Sequence, residues 1–219
     1  MTDLSEELNA PGPDAVVLDA KGLRALAHPV RVRLVGLLRK HGPSTATRLA
    51  ERLGVNSGTA SYHLRQLAAA GFVAEDRERG NARERWWHAV HQTTWLNDSD
   101  LVEQEPEATL AYLQSVAAAY TLHTQRALNE FHTMPRVWRE IFDMSDWPLR
   151  LTAEEATALS EELTAVIARY RRDSPQEAAQ APEGAERIVL ITHVVPELDR
   201  SGALPGRSAI QGGAGTGAS

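Results

Sequence analysis

Four residues at helical spacing, Ser57, Ser61, Tyr62 and Arg65, carry side chains that can donate hydrogen bonds to nucleic acid. Hydroxyl and guanidinium groups bind phosphate oxygens and the acceptor edges of bases in the major groove. The 3.6-residue period puts these four side chains on one face of a helix, and turns three apolar residues to the other: Ala60, Leu64 and Leu67. A helix that met only solvent would more often carry Glu and Lys on its outer face. The segment therefore predicts a helix that lies in the major groove of DNA.

A second short helix and a tight turn come directly before this segment. Leu49, Ala50 and Leu53 line one face of that helix, and Gly54 follows where a positive φ would end it. Asn56 or Ser57 is then placed to cap the next helix. Residues 44–73 thus have the spacing of a helix-turn-helix.

An Arg-rich hairpin is predicted after the helix-turn-helix. Phe72 to Ala74 and Arg85 to Val90 read as two strands, with Gly80 and Asn81 at the tip between them. The cations on or beside the loop are Arg77, Arg79, Arg83 and Arg85. Several cations on a hairpin next to a recognition helix favour contact with a phosphate backbone.

The charge is divided unevenly along the chain. Residues 21–91 hold 13 Lys and Arg against 5 Asp and Glu, a net of +8, whereas the rest of the chain has a net of −14. A basic module joined to an acidic one is typical of a nucleic-acid-binding domain attached to another domain. The overall net charge of −6 conceals this division.

The sequence carries none of the common catalytic or cofactor signatures. It contains no GxSxG, P-loop or HExxH motif, and no GxGxxG between a strand and a helix. With 0 Cys it also has no thiolate metal site, disulfide or thiol nucleophile. We therefore expect that the protein is not an enzyme and that it binds no cofactor. The first residues do not resemble a secretion signal and no stretch is long enough to span a bilayer, so we expect a soluble, cytoplasmic protein without a membrane partner.

Residues 18–91 resemble the winged helix-turn-helix of the ArsR-type bacterial transcriptional repressors. Two segments carry the resemblance: ALAHPVRVRLV, in which Pro29 begins a helix, and the SxxSYHLRQLxxAGFV pattern. By position, the resemblance and the pattern together assign DNA contacts to Ser57, Gly58, Thr59, Ser61, Tyr62, His63, Arg65, Arg77, Arg79, Arg83 and Arg85, the last four as the wing.

The chain departs from the metal-sensing members of that family. Gly54 to Asn56 contains no Cys where those members hold a thiolate site. The other metal site of those members uses His and Asp in a defined array on a terminal helix, which His123 and His132 do not reproduce. His88 and His91 are closer to the spacing of metal ligands, but they stand at a strand end. No metal site is therefore predicted, and a His-based metal sensor remains an alternative.

A long helix is predicted from Pro106 to about His132. Its apolar residues alternate steps of three and four, which is the spacing of a seam between helices. The expected dimerisation residues are Leu110, Leu113, Ala117, Tyr120 and Phe131. DNA readers of this kind usually dock as two-fold dimers, so we expect a homodimer, although the seam could also pack within one chain.

Aromatic and methionine side chains are concentrated in residues 134–148. They suit either a protein core or a pocket for an apolar small molecule. The candidate effector pocket consists of His132, Met134, Trp138, Phe142 and Trp147.

A capping box at Thr152 and Glu155 begins another helix. Its expected buried stripe is Ala156, Leu159, Leu163, Val166, Ile167 and Tyr170. Two short strands, 149–152 and 188–195, are expected to pair across this helix.

These predictions describe a mainly α (α+β) protein. The expected organisation is a flexible arm at 1–17, a winged helix-turn-helix DNA-binding domain at 18–91, a helical dimerisation and effector domain at 92–195, and a disordered tail at 196–219. The favoured function is a homodimeric regulator, expected to be a repressor, that binds double-stranded DNA. Its acidic half either senses a small organic effector that releases the DNA or only holds the dimer together. The alternative from another class is a winged-helix module that binds an acidic protein. Neither the operator nor the identity of an effector follows from the sequence.

Overall fold

The first half of the chain is a compact set of short helices and strands. The computed structural model describes residues 14–79, 84–171, 173 and 178–197. In chain order the first half contains β1 (Ala15–Val17), α1 (Ala20–Leu26), α2 (Pro29–His41), β2 (Ser44–Thr45), α3 (Ala46–Leu53), α4 (Ser57–Ala69), β3 (Val73–Asp76), β4 (Trp86–Ala89) and β5 (Thr93–Trp95). The second half contains α5 (Ser99–Gln104), α6 (Pro106–Glu130), a 3₁₀ turn (Phe131–Thr133), α7 (Arg136–Arg139) and α8 (Ala153–Ala168). The fold is mainly α with a small β component, as predicted.

The two residues predicted to form the turn between α3 and α4 have their predicted roles. Gly54 has φ 68°, in the left-handed region, and its N–H donates to the carbonyls of Ala50 and Glu51. The Asn56 side chain then accepts a hydrogen bond of 2.7 Å from the N–H of Thr59, which caps α4. The turn therefore fixes the angle at which α4 leaves α3.

The core of this half lies beneath α4. Leu64 and Leu67 on its inner face are fully buried, in one apolar cluster with Leu23 of α1, Leu34 of α2 and Phe72. Buried leucines packed with an aromatic ring give the dense interior that holds a short helix in place. This core fixes the opposite face of α4 towards solvent.

The predicted hairpin is also confirmed. β3 and β4 pair antiparallel from Val73 opposite Ala89 to Asp76 opposite Trp86. The two-residue β2 adds to the other edge of β4, which gives the strand order β2-β4-β3. The predicted tip at Gly80 and Asn81, and the wing residue Arg83, lie outside the described residues.

The arm predicted at 1–17 includes residues that are in fact a strand. β1 pairs in parallel with β5, from Ala15 opposite Thr93 to Val17 opposite Trp95. Leu18 follows as part of the buried core, and its N–H donates to the carbonyl of Trp95 at 2.8 Å. Two three-residue strands far apart in sequence have no local periodicity, so their pairing leaves no sequence signal.

One arginine ties α2 to the strand that ends the winged domain. Arg39 donates from Nε to the carbonyl of His91 at 2.7 Å, and from Nη2 to the carbonyl of Thr93 at 3.1 Å and to Oγ1 of Thr94 at 2.8 Å. Burial lowers the pKa of Arg39 to about 10, an effect that nearby Tyr112 opposes. The guanidinium remains charged at neutral pH and binds three acceptors from one position.

We expect Arg39→Met to lower the free energy of unfolding by about 2 kcal/mol, because three acceptors lose a charged donor. Urea denaturation followed by circular dichroism measures this change. Arg24, which is exposed and pairs with Glu105, provides the matched control. Arg24→Met should cost less than about 1 kcal/mol, as exposed ion pairs do. Equal losses for the two variants would contradict the structural role of Arg39.

The long helix predicted from Pro106 is confirmed as α6. It packs on α1 and α2, and Thr109 and Ser115 are buried in that contact while Tyr112 is half-buried. The hydroxyl of Ser115 donates to the carbonyl of Ala111 one turn earlier. Within the described residues no helix has both the length and the apolar character needed to cross a membrane.

Three predictions for the second half are wrong for the single chain. Residues 149–152 and 188–195 form no strand. The capping box of α8 is present, but none of the residues of α8 is buried, and Leu163 and Val166 are exposed. The apolar segment 134–148 is not a core either, because Trp147 is 79% exposed. The common reason is that the described part of this half offers no surface on which these side chains are packed.

Candidate nucleic-acid interface

The outer face of α4 presents most of the predicted DNA-contacting residues together. Ser57, Gly58, Tyr62 and Arg65 are exposed, and Tyr62 keeps 56% of its surface in contact with solvent. Two further members of the set, Thr59 and Ser61, are half-buried. The face is narrow and carries small or hydrogen-bonding groups, which suits insertion into the major groove.

His63 is the exception, and its assignment to direct DNA contact is wrong. It is only 7% exposed and lies on the inner side of α4. Its ring packs against His28, with 4.4 Å between the ring centroids, and against Tyr62, at 5.3 Å. Counted from Ala60 and Leu67, positions three and four residues away share the buried face, and this spacing could have shown that His63 points inward.

Three of the four predicted wing arginines lie within the described residues, on either side of the hairpin loop. Arg77, Arg79 and Arg85 are exposed. Arg79 pairs with Asp76 at 3.3 Å, and Arg85 lies 3.8 Å from Glu75. Exposed pairs of this kind contribute little free energy, so a phosphate can compete for the guanidinium groups.

The structure adds two residues that sequence reasoning missed. The guanidinium carbon of Arg48 lies 5.1 Å from the ring centroid of Trp86, so a cation of α3 stacks on the base of the wing. Gln66 is exposed beside Arg65, one turn along α4 from Tyr62. The four-residue step from Tyr62 could have identified Gln66, whereas the stacking of Arg48 depends on the fold.

Most of the predicted dimerisation residues lie on a face of α6 that does not pack on α1 or α2. Leu110 is 57% exposed, Leu113 51% and Tyr120 41%, and Ala117 is also exposed. Phe131, at the end of this row, is half-buried. The contact with α1 and α2 uses a different stripe of the helix, so Leu110, Leu113 and Ala117 face solvent. The ring of Tyr120 contacts that of His193 edge to face, with 5.7 Å between the centroids.

The described residues do not enclose the predicted effector residues. Met134, Trp138 and Phe142 are half-buried, and His132 and Trp147 are exposed. Phe142 does contact Phe131 edge to face, with 5.2 Å between the centroids. These residues form a loose aromatic surface at the end of α6.

The four histidines considered as metal ligands are divided between the hairpin region and α6 with the turn that follows it. His88 is on β4 and His91 follows it, while His123 is on α6 and His132 is in the 3₁₀ turn. The described part of the chain contains no group of three or more His, Cys, Asp or Glu that could hold a metal ion.

Residues 26–76 match the family model of a helix-turn-helix domain. The chain thus contains a helix-turn-helix domain, of the kind that binds DNA. No curated protein matches the chain. Among solved structures, a mutant of ZitR from Lactococcus lactis in its apo form is 18% identical, with a TM-score of 0.28, over 67% of this chain and 84% of that one. AbfR with a disulfide formed is 15% identical, with a TM-score of 0.25, over 47% of this chain and 68% of that one.

Proposed function

We propose that this protein is a sequence-specific, DNA-binding transcriptional regulator of the ArsR type, a repressor that binds its operator as a homodimer. The observation that carries the proposal is the outer face of α4, where Ser57, Tyr62 and Arg65 are exposed above a rigid apolar core. Side chains held on a rigid helix can read base edges because their positions are fixed before binding.

The cations around α4 supply affinity for the DNA backbone. Arg77, Arg79 and Arg85 on the wing, and Arg48 at its base, flank the recognition helix on the side of the hairpin. Phosphate contacts of this type fix the register of the protein on the duplex while the helix reads the sequence.

The exposed seam on α6 supports the homodimer. A row of apolar side chains at three- and four-residue steps is costly to leave in water, and a second copy of the same helix would bury it. Pairing through a two-fold axis would present two recognition helices to major-groove faces about 34 Å apart. The aromatic surface around Phe142 lies at the end of this helix, where an apolar effector bound between protomers would change their relative orientation.

Selection of bound duplexes from random DNA, followed by titration at several salt concentrations, tests the function. We expect one palindromic sequence to be enriched, and to bind at least about 10³-fold more tightly than random duplex. Its affinity should fall by about 10³-fold or more between 50 and 200 mM salt, as phosphate contacts from two protomers require.

The absence of any preferred sequence would overturn the proposal. Binding to acidic proteins without sequence-specific DNA binding would favour the interaction module instead.

A further inference from the structure

His28 and His63 form a stacked pair between α2 and the recognition helix α4. His28 is the N-cap of α2, and its Nδ1 accepts a hydrogen bond of 3.2 Å from the N–H of Val30. Pro29 has no N–H, so Val30 supplies the first donor of the helix. The ring of His28 lies 4.4 Å from that of His63, which is buried on the inner face of α4.

The surroundings of the pair disfavour a positive charge. Burial is the largest cause that lowers the pKa of His63, and His28 and Arg31 lower it further. Burial also lowers the pKa of His28, as does Arg31. Tyr62 is the other titratable group in contact with the pair. In the described residues α1, α3 and β3, which also pack near α4, add no charged group to the two rings.

Two polar atoms beside the pair have no hydrogen-bond partner in the described structure. They are Nδ1 of His63 and Nε of Arg31, and both are buried. A protonated His63 would therefore bury a second N–H donor without an acceptor, next to a cation. The site as built accommodates two neutral imidazoles.

Protonation of His28 would also remove the cap of α2. The bond from Val30 requires a lone pair on Nδ1, so the neutral ring must carry its proton on Nε2. A further proton can bind only at Nδ1, and it would turn the acceptor into a donor facing the N–H of Val30. The cap and the ring contact would thus be lost together.

We propose that the His28–His63 pair positions the recognition helix against α2 only while both rings are neutral, so that mild acid releases the protein from its operator. This inference rests on the proposed function. Well above the ordinary His pKa of 6.5 neither ring binds a proton, whether α4 is docked or not. As the pH falls below that value, the undocked form binds protons first, so the docked form loses stability down to the lowered pKa of the pair.

The expected fall of operator affinity in acid is opposite to the usual effect of acid on DNA binding. Protonation of exposed histidines adds positive charge and strengthens contact with phosphates. Here specific affinity should weaken on acidification, by up to about tenfold per pH unit for each proton involved.

Fluorescence anisotropy with the selected operator, at constant ionic strength from about pH 7.5 to about pH 5.5, tests the inference. We expect the specific affinity of the unmodified protein to fall severalfold, and by no more than about tenfold for each of the two protons in the pH unit below 6.5. His28→Asn with His63→Leu should make affinity flat or slightly stronger in acid, because Asn caps a helix without titrating. His91→Asn, a histidine outside the pair, should keep the full loss.

An operator affinity that is unchanged or stronger in acid for the unmodified protein would overturn the inference and leave the proposed function intact. A failure of the proposed function would appear as no specific binding at any pH. The inference is then tested without DNA, by NMR titration of the imidazole C–H signals of the whole protein. Both rings should titrate below 6.5, and a pKa at or above that value for either ring would overturn it.

Discussion

Leu110→Glu combined with Leu113→Glu is expected to produce a monomer whose operator affinity is about 10³-fold lower. Both side chains are more than half exposed in the single chain, at 57% and 51%, so their replacement costs the isolated protomer little. In the proposed dimer each leucine would gain about 1 kcal/mol by burial of its exposed half, and a carboxylate in its place would have to be desolvated. A monomer binds only one half-site of the operator, so it loses the affinity that is gained when two linked recognition helices bind together.

Sedimentation velocity measures the oligomeric state, and anisotropy with the operator measures affinity. Ala118→Glu with Gln125→Glu is the matched control, since it adds the same charge to exposed positions of α6 away from the seam. This control should remain a dimer and bind normally. A dimer that survives the two leucine changes would place the interface elsewhere, and the unpacked face of α8 would be the next element to test.

Arg65→Ala is expected to weaken operator binding by about 1–3 kcal/mol and to relax the sequence preference at one base pair in each half-site. Arg65 is exposed on the outer face of α4, where a guanidinium can bind a guanine edge with two hydrogen bonds. The measurement is a comparison of affinities for the operator and for each single-base variant of it.

Arg79→Ala is the control for charge alone. Arg79 lies on the wing and pairs with Asp76, so its loss should weaken binding about equally on all sequences and reduce the salt dependence. If Arg65→Ala changed neither affinity nor preference, the orientation proposed for α4 on DNA would be wrong.

The helix-turn-helix could be predicted from sequence because its determinants are local. Gly54 supplies a left-handed residue, Asn56 supplies a cap, and both act within one turn of their own position. The inward step of Ala60, Leu64 and Leu67 likewise fixes the orientation of α4 without knowledge of the remaining chain. The helices of the winged domain and their orientation follow from such signals.

Other features depend on contacts between distant segments. The pairing of β1 with β5, and the three bonds that Arg39 makes beyond His88, have no periodicity that a sequence could display. His63 could be misassigned because polar residues on a recognition helix suggest contact with DNA, whereas its burial depends on His28 of another helix.

In the second half of the chain, the apolar faces could be predicted from the sequence but the surfaces that cover them could not. Its apolar stripes were predicted to be buried, and the sequence pattern is indeed that of buried helices, yet Leu163 and Val166 are exposed in the single chain. Hydrophobic periodicity indicates that a face needs a partner, but it does not identify the chain that supplies the partner. The location of the effector site remains a prediction for the same reason.

The parallel pair of β1 and β5 also determines when the winged domain can be completed during synthesis. Ala15 leaves the ribosome early, but its partner Thr93 and the carbonyl that binds Leu18, on Trp95, are made only after the helix-turn-helix and the wing. The hydrogen bond from Arg39 to the carbonyl of Thr93 likewise cannot form before β5 has been synthesised. The helices of the domain can therefore form early from local contacts, while its closure is a late step set by the emergence of β5. A nascent chain stalled just before β5 should be more sensitive to protease at β1 than one stalled well beyond β5.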